Sequence, residues 1–316
     1  MQPPRHRVLT LIAFVLLALF PLLAGTFYLQ LVAKIMIMAI FAMSLDLLVG
    51  YTGLVSFGHA AFFGIGAYAL FVLSPQYAAA SLYWSLPVAI GAAAAAALVI
   101  GALVLRTSGV SFIMVTLAFA QMLFYYVIGS TALGGSDGVY IYVKPSLALF
   151  GWVPVSLDQP AGFYYVALVA LAVTYIVLRF ATQSLFGHAL RGIRSNESRM
   201  RALGFATYGY KLAAFVIAGT LAGLAGYLDA AQFGFVNPDL FGWRLSGEVL
   251  MMVILGGMGT LYGSVLGAFA LVLLQDGLTD VTRHWLLPFG LFIILVALLL
   301  PHGISGLWRR TEKAHG

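Results

Sequence analysis

The amino-acid sequence predicts an all-α integral membrane protein, a polytopic helical bundle of about 8–10 spans, some broken or re-entrant, with both termini cytoplasmic. Three observations lead there. Of 316 residues, 62% are hydrophobic and 8% are charged. A soluble domain carries about a quarter charged residues, so this chain cannot cover a water-facing surface. The apolar runs are also long and continuous, whereas a membrane barrel needs short segments of alternating polarity. Finally, the basic residues segregate to one side once the runs are threaded back and forth.

Ten hydrophobic segments follow one another, at roughly 8–25, 28–48, 53–72, 86–105, 110–129, 162–180, 211–231, 246–259, 261–276 and 286–301. The first follows Arg-His-Arg in a signal-peptide layout, but its length and the lack of an A-x-A site favour a retained span. In the second, Lys34 is expected to snorkel outward. The third is rich in small residues, and the fourth holds the alanine run Ala92–Ala97, read as tight packing. Between the fifth and sixth, residues 131–161 carry Gly and Pro and read as a structured outer loop. The eighth and ninth are short enough to be half-spans or a re-entrant pair. Residues 181–210 form the long cytoplasmic segment of a single transmembrane domain covering 1–316.

With the N-terminus inside, twelve basic residues lie on the cytoplasmic side: Arg5, Arg7, Arg106, Arg179, Arg191, Arg194, Arg199, Arg201, Lys211, Arg309, Arg310 and Lys313. Lys34, Lys144, Arg244 and Arg283 lie on the other. The bias orients the chain. It also accounts for the formal net charge of +6 without a nucleic-acid partner, leaving membrane lipid as the surrounding phase. There is no cysteine, so thiolate chemistry is excluded. His6, His59, His188, His284, His302 and His315 are scattered, with no metal-binding spacing, so no metal is expected.

The stretch VSFGHAAFFGIGAYAL, residues 55–70, spends its positions on Gly, Ala, Ser and His. Between lipid-embedded helices, close packing rather than escape from water drives association, and small residues permit it. As one helix, Ser56, Ala60 and Gly64 would share a face, with Gly53 and Gly66 as points of close approach or breakage. Ser56 and His59, three apart, would also share a face. An intramembrane imidazole faces protein or a wet cavity; a helix-to-helix hydrogen bond is the first expectation for His59 and a substrate path the second. ILGGMGTLYGSVLGAFAL, residues 254–271, is the counterpart in the other half. Paired Gly-interrupted segments mark transporter sites. The substrate-pathway candidates are therefore Gly53, Ser56, Gly58, His59 and Gly64, with Gly256, Gly257 and Gly259. Asp46, Asp229, Glu248 and Asp276 read as segment-end acids near headgroups or water.

LDLLVGYTGLVSFGHAAFFGIGAYA resembles the signature of the branched-chain amino-acid ABC transporter permease family, of its LivM-type branch. ALRGIRSNESRMRALGFATYGYKLAAFVIAGTLAGLAGYL resembles that family's cytoplasmic loop and next span, and VILGGMGTLYGSVLGA and PHGISGL follow in the same order. The resemblance implies the permease subunit of an ATP-driven importer, most simply for branched-chain amino acids, with urea or short amides as the alternative. It implies a second related permease, two ATP-binding subunits and a periplasmic substrate-binding protein. Without GxxxxGK[ST], this chain lacks a phosphate-cradling loop. It needs no cofactor of its own; ATP and Mg belong on the partner ATPases, and it is not itself an enzyme.

The coupling loop would then lie in residues 181–210. Phe186, Leu190, Ile193, Met200 and Leu203 fall near one helical face, the arginines supply charge, and Gly204 is a plausible C-terminal cap. Its contact candidates are Arg191, Arg194, Asn196, Glu197 and Gly204. Glu197 and Gly204 are seven apart, so the general EAA pattern, with Gly six after Glu, is absent. Two rival classes stand beside this: an intramembrane hydrolase on Ser56 and His59, without GxSG or an evident oxyanion hole, and a stand-alone channel or secondary transporter.

Overall fold

A computed structural model describes residues 4–22, 24–75, 79–146, 157–281, 284, 286–299, 303, 304 and 306. Arg283, His6, His302, His315 and the basic C-terminal residues of the charge map lie outside the described side chains, as does the outer-loop stretch 147–156.

Among the described residues the chain is almost entirely helical. The apolar helices are α1 (Pro4–Leu19), α2 (Thr26–Asp46), α3 (Ala60–Leu73), α4 (Leu82–Val104), α5 (Val110–Ile128) and α6 (Pro160–Gln183). Two short helices follow, α7 (Leu185–Ser195) and α8 (Glu197–Ala202). Then come α9 (Thr207–Phe233), α10 (Trp243–Gly256), α11 (Leu261–Val281) and α12 (Leu286–Leu299). Six helices are long and apolar enough to cross a membrane: α2 with its extension, α4, α5, α6, α9 and α11. The others are shorter pieces of the same alternating path.

The core is α2. A helix that is apolar all round has no face to give to solvent and belongs in the middle. From Ile35 to Thr52 every residue is buried, with α6, α9, α10 and α11 packed around it. Its last turn widens into a π-helix, Leu47–Thr52, and stops at Gly53, whose φ of 77° is left-handed. The Leu48 carbonyl accepts the amides of Gly53 and Leu54 and the Thr52 hydroxyl, at 2.6 Å for the last.

Small residues set the spacing around this core. On α4, Ala89, Ala93 and Ala97 are fully buried at four-residue spacing. Ala97 meets Gly219 and Ala93 meets Gly223, a GxxxG pair on α9. The opposite side of α9 crosses α3 at backbone distance: a Cβ on Gly66 would strike the Gly223 carbonyl, and one on Gly226 the Phe63 carbonyl. The hairpin of α10 and α11 closes in the same way, Gly256 on the Gly263 carbonyl and Gly267 on the Met252 carbonyl.

Two expectations change here. Residues 53–72 are not one helix. Gly53 to His59 run as irregular chain and α3 begins at Ala60, so Ser56 shares no helix face with His59 or Gly64. The physical cause is the left-handed turn at Gly53, which ends α2 before the chain can reverse. Of the eighth and ninth segments, expected as half-spans or a re-entrant pair, the eighth is half-length and the ninth is not. Helix α10 has 14 residues, roughly 21 Å against roughly 30 Å of hydrocarbon. Before it, the turn Pro238–Phe241 seats the Phe241 ring against Gly64. Helix α11, of 21 residues, returns as a full span.

On the outer side, β1 (Val139–Tyr140) pairs antiparallel with β2 (Phe235–Val236). This anchors the described part of the outer loop to the α9–α10 connection. On α6, the Tyr164 hydroxyl donates to the Leu17 carbonyl at 2.7 Å, holding α1 against it.

Replacing Gly223 by Leu should cost about 3 kcal/mol or more, because overpacking here meets backbone on one side and Ala93 on the other. Gly91→Leu, where an added Cβ meets nothing, should be near neutral. Thermal midpoints of the two purified variants check the contrast.

Candidate functional site

Two helix breaks come together at the cytoplasmic ends of α2 and α10. The first follows the π-turn at Gly53. The second runs from Gly257 to Thr260, where Gly257 (φ 107°) and Gly259 (φ 80°) take backbone conformations that L side chains rarely adopt. The Gly257 amide still bonds Val253, at 3.0 Å, and the Thr260 hydroxyl donates to the Gly257 carbonyl at 2.7 Å. Gly303, of the closing motif, packs directly on Gly257.

Broken helices leave amides and carbonyls without intrahelical partners, and side chains supply them here. Asp46, on the last turn of α2 and wholly buried, accepts the Gly259 amide on Oδ1 at 2.7 Å. Arg194, from α7, donates through Nη1 to the Gly50 carbonyl. Gly50 has no room for a Cβ between Asp46 Oδ1 and the Gly259 amide. The aliphatic stem of Arg194 lies over Gly53, 3.2 Å from where a Cβ would stand. One cytoplasmic arginine thus touches the end of α2, while the carboxylate it faces holds the α10–α11 break.

The predicted single amphipathic helix of the cytoplasmic loop is two helices. Asn196 is extended (φ −161°, ψ 99°), ends α7 and caps α8, its Oδ1 accepting the Arg199 amide at 2.9 Å. An Asn competes with helical backbone through its side chain and so favours a cap. Leu190 and Ile193 are buried on α7, but Leu203 is 67% exposed, off the expected face. Gly204 takes a left-handed φ of 86° just beyond α8. Arg191 is exposed and makes no hydrogen bond or ion pair among the described residues.

Glu197 ties this loop to α9. Its Oε1 accepts Lys211 Nζ at 2.8 Å, the Thr207 hydroxyl at 3.1 Å and Arg201 at 2.9 Å. Partial burial works to raise its carboxyl pKa, but the hydrogen bond and charge of Lys211, with Thr207 and Arg201, outweigh it and hold the pKa below the ordinary value.

His59 is wholly buried, stacked on Phe41 at 5.4 Å and bonded through Nε2 to the Ser44 hydroxyl at 2.8 Å. That hydroxyl donates to the Phe41 carbonyl, so Nε2–H must be the donor toward it. Ser56 is buried, and its Oγ accepts the Gly58 amide. The two side chains therefore form no nucleophile–base pair. Gly58 abuts the Thr116 carbonyl of α5, and Gly64 the Phe241 ring.

Of the candidate residues, Gly53 and Gly259 meet at the junction with Arg194, and Gly256 and Gly257 adjoin it. Ser56, Gly58, His59 and Gly64 lie apart, in packing around α3. Sequence reasoning missed Asp46 as a bonded group. It is at a segment end as expected, yet buried rather than near headgroups, and so is Asp229. It also missed Gly50 and the Lys211–Glu197 pair, whose fourteen-residue separation crosses a turn that periodicity does not reveal. The signal for Asp46 was present as an acid immediately before a Gly-containing apolar run.

A depressed carboxyl pKa contributes stability above the unfolded value, lost as pH falls through the folded one. Glu197→Gln should lower the thermal midpoint at about pH 7, with the gap to wild type closing toward about pH 3. A pH series on both purified proteins checks this.

Residues 9–300 match the family described as the branched-chain amino acid transport system permease component. The Escherichia coli high-affinity branched-chain amino acid transport system permease protein LivM is 31% identical over 326 aligned residues, covering 96% of this chain and 76% of that protein. The Pseudomonas aeruginosa high-affinity branched-chain amino acid transport system permease protein BraD is 25% identical over 298 aligned residues, covering 85% of this chain and 91% of that protein. The E. coli ribose import permease protein RbsC is 25% identical over 224, covering 66% and 68%. No solved structure matches significantly. With a family match over nearly its whole length and bundled apolar helices, this chain is a multi-pass inner-membrane permease and belongs to the branched-chain amino acid transport system permease family.

Proposed function

We propose that this chain is one of two related permease subunits of an ATP-driven importer of branched-chain amino acids. Two ATP-binding subunits, holding ATP and Mg, dock on its cytoplasmic loop, and a periplasmic binding protein delivers the substrate. The names of the relatives at 31% and 25% identity support the substrate class. The rival hydrolase reading loses its basis, since His59 is bonded to Ser44 and not to Ser56.

The observation that carries the coupling part is the contact of Arg194 with the Gly50 carbonyl. A partner that moves α7 moves the guanidinium bonded to the end of the central helix. The same motion reaches the α10–α11 break, because Asp46 on that turn holds Gly259. Arg191, exposed on the same helix, is free to meet an acidic group on the ATPase. A helix resting only on lipid would need no polar bond into the bundle, and one surface charge on lipid contributes about 1 kcal/mol.

Purification of the assembled complex, followed by uptake and ATP hydrolysis in liposomes, tests this reading. Arg194→Glu places a carboxylate against a carbonyl and should lower ATP-coupled uptake roughly tenfold, as expected from losing one charge-assisted bond. Arg191→Glu should instead weaken retention of the ATPase subunits. Wild-type uptake and retention in both variants would exclude this loop as the coupling element, and transport by the chain alone without ATP would make it a secondary transporter.

A further inference from the structure

The junction of α2, α7 and the α10–α11 break holds one buried atom whose role is still open. Asp46 is wholly buried and uses Oδ1 to accept the Gly259 amide at 2.7 Å. Its Oδ2 is buried as well and has no hydrogen-bond partner among the described residues. A carboxylate oxygen shut away from water without a donor is costly, and such groups in folded proteins call for an explanation. The Ser264 hydroxyl, on the first turn of α11, is near the carboxylate, yet its geometry makes no bond to it.

The strongest donor at the junction is engaged elsewhere. Arg194 is always charged and carries five N–H donors in a planar fork. Among the described residues it makes one hydrogen bond, from Nη1 to the Gly50 carbonyl. Arginine and aspartate touch the same two glycines. A Cβ added at Gly50 would strike Asp46 Oδ1, while the carbonyl of that residue holds the guanidinium. At Gly259, Asp46 holds the amide, and Arg194 Nη1 is 3.7 Å from where a Cβ would stand. Yet among the described residues no ion pair joins them. Asp46 lies about one helical turn deeper on α2 than Gly50, and Arg194 is exposed on α7.

We propose that the Arg194 guanidinium has two seats at this junction, the Gly50 carbonyl occupied here and Asp46 Oδ2, and that exchange between them releases the α10–α11 break during transport. Pairing with the guanidinium draws the carboxylate away from the Gly259 amide, because the charged donor competes with a neutral one. The exchange trades one charge-assisted bond for another. A partner shifts such a pair of states by favouring one of them, and a push of α7 into the bundle favours the deeper seat. Asp46 is then a positioning residue for coupling and not only a cap on the break. The exchange rests on the coupling reading above and deepens it, naming the carboxylate on which motion of α7 acts.

The test is uptake of labelled leucine and ATP hydrolysis by the complete complex in liposomes, with assembled complex measured for each variant. Asp46→Asn separates the two roles of the carboxylate, since its amide oxygen still accepts the Gly259 amide but offers the guanidinium no charge. It should be recovered at the wild-type amount, keep hydrolysing ATP, and move roughly tenfold less leucine per ATP. Arg194→Gln should show the same fall. The double variant should be no worse than either single one, because both remove one pairing. Ser264→Ala should keep the wild-type ratio. Wild-type uptake per ATP in Asp46→Asn, with Arg194→Gln impaired, overturns the exchange and leaves the coupling reading standing. So do falls that multiply in the double variant, and so does a fall in Ser264→Ala equal to that of Asp46→Asn, which assigns Oδ2 to the hydroxyl. An Asp46→Asn complex that does not assemble also overturns it, by marking the charge as structural. Wild-type uptake per ATP in Arg194→Gln removes the coupling reading, and the exchange with it.

Discussion

In a lipid-embedded bundle every buried backbone group must find its partner inside the protein, and the cytoplasmic end of α2 is where that constraint organises the rest. Ending a central helix within the bundle frees carbonyls that no water can reach. Here they are met by a left-handed glycine turn, a threonine hydroxyl and the guanidinium of Arg194. The neighbouring break at Gly257–Thr260 frees an amide, and Asp46 accepts it. Each solution requires the other elements to be close. The position of α7, the α10–α11 hairpin and the glycines that allow contact therefore follow from one requirement.

The same arrangement ties the α7–α8 segment to the bundle. Arg194 is exposed enough on its helix to be disturbed by a partner, and its far end is committed to a buried carbonyl. Glu197, Lys211 and Thr207 hold the other end of the loop to α9. The loop is thereby tied to two long helices at two points, and a push on it reaches both. Gly53 and Gly259 stand at the two helix breaks, where their left-handed φ leaves little alternative to glycine.

Small residues do the close packing that their clustering suggested. Gly64, Gly66, Gly219, Gly223 and Gly226 bring α3, α4 and α9 into backbone contact. His59 and Ser44 add a hydrogen bond inside that packing. These residues set where the helices lie.

The amino-acid sequence by itself determined the membrane class and the helical character of the apolar runs, because composition and run length are properties of single segments in lipid. It also offered Gly53 and Gly66 as breaking points, since glycine's freedom is local; the chain breaks at Gly53, while α3 runs unbroken through Gly66. Tertiary structure alone decided which broken ends meet. Asp46 and Gly259 are 213 residues apart, and Arg194 and Gly50 are 144 apart, separations over which no periodicity carries information. It likewise decided which of the two short segments is a half-length helix, α10 and not α11. The burial of Asp46 and Asp229, read from sequence as segment-end acids near water, was fixed by neighbours on other helices. Whether an intramembrane charge faces water or protein is set by what packs beside it.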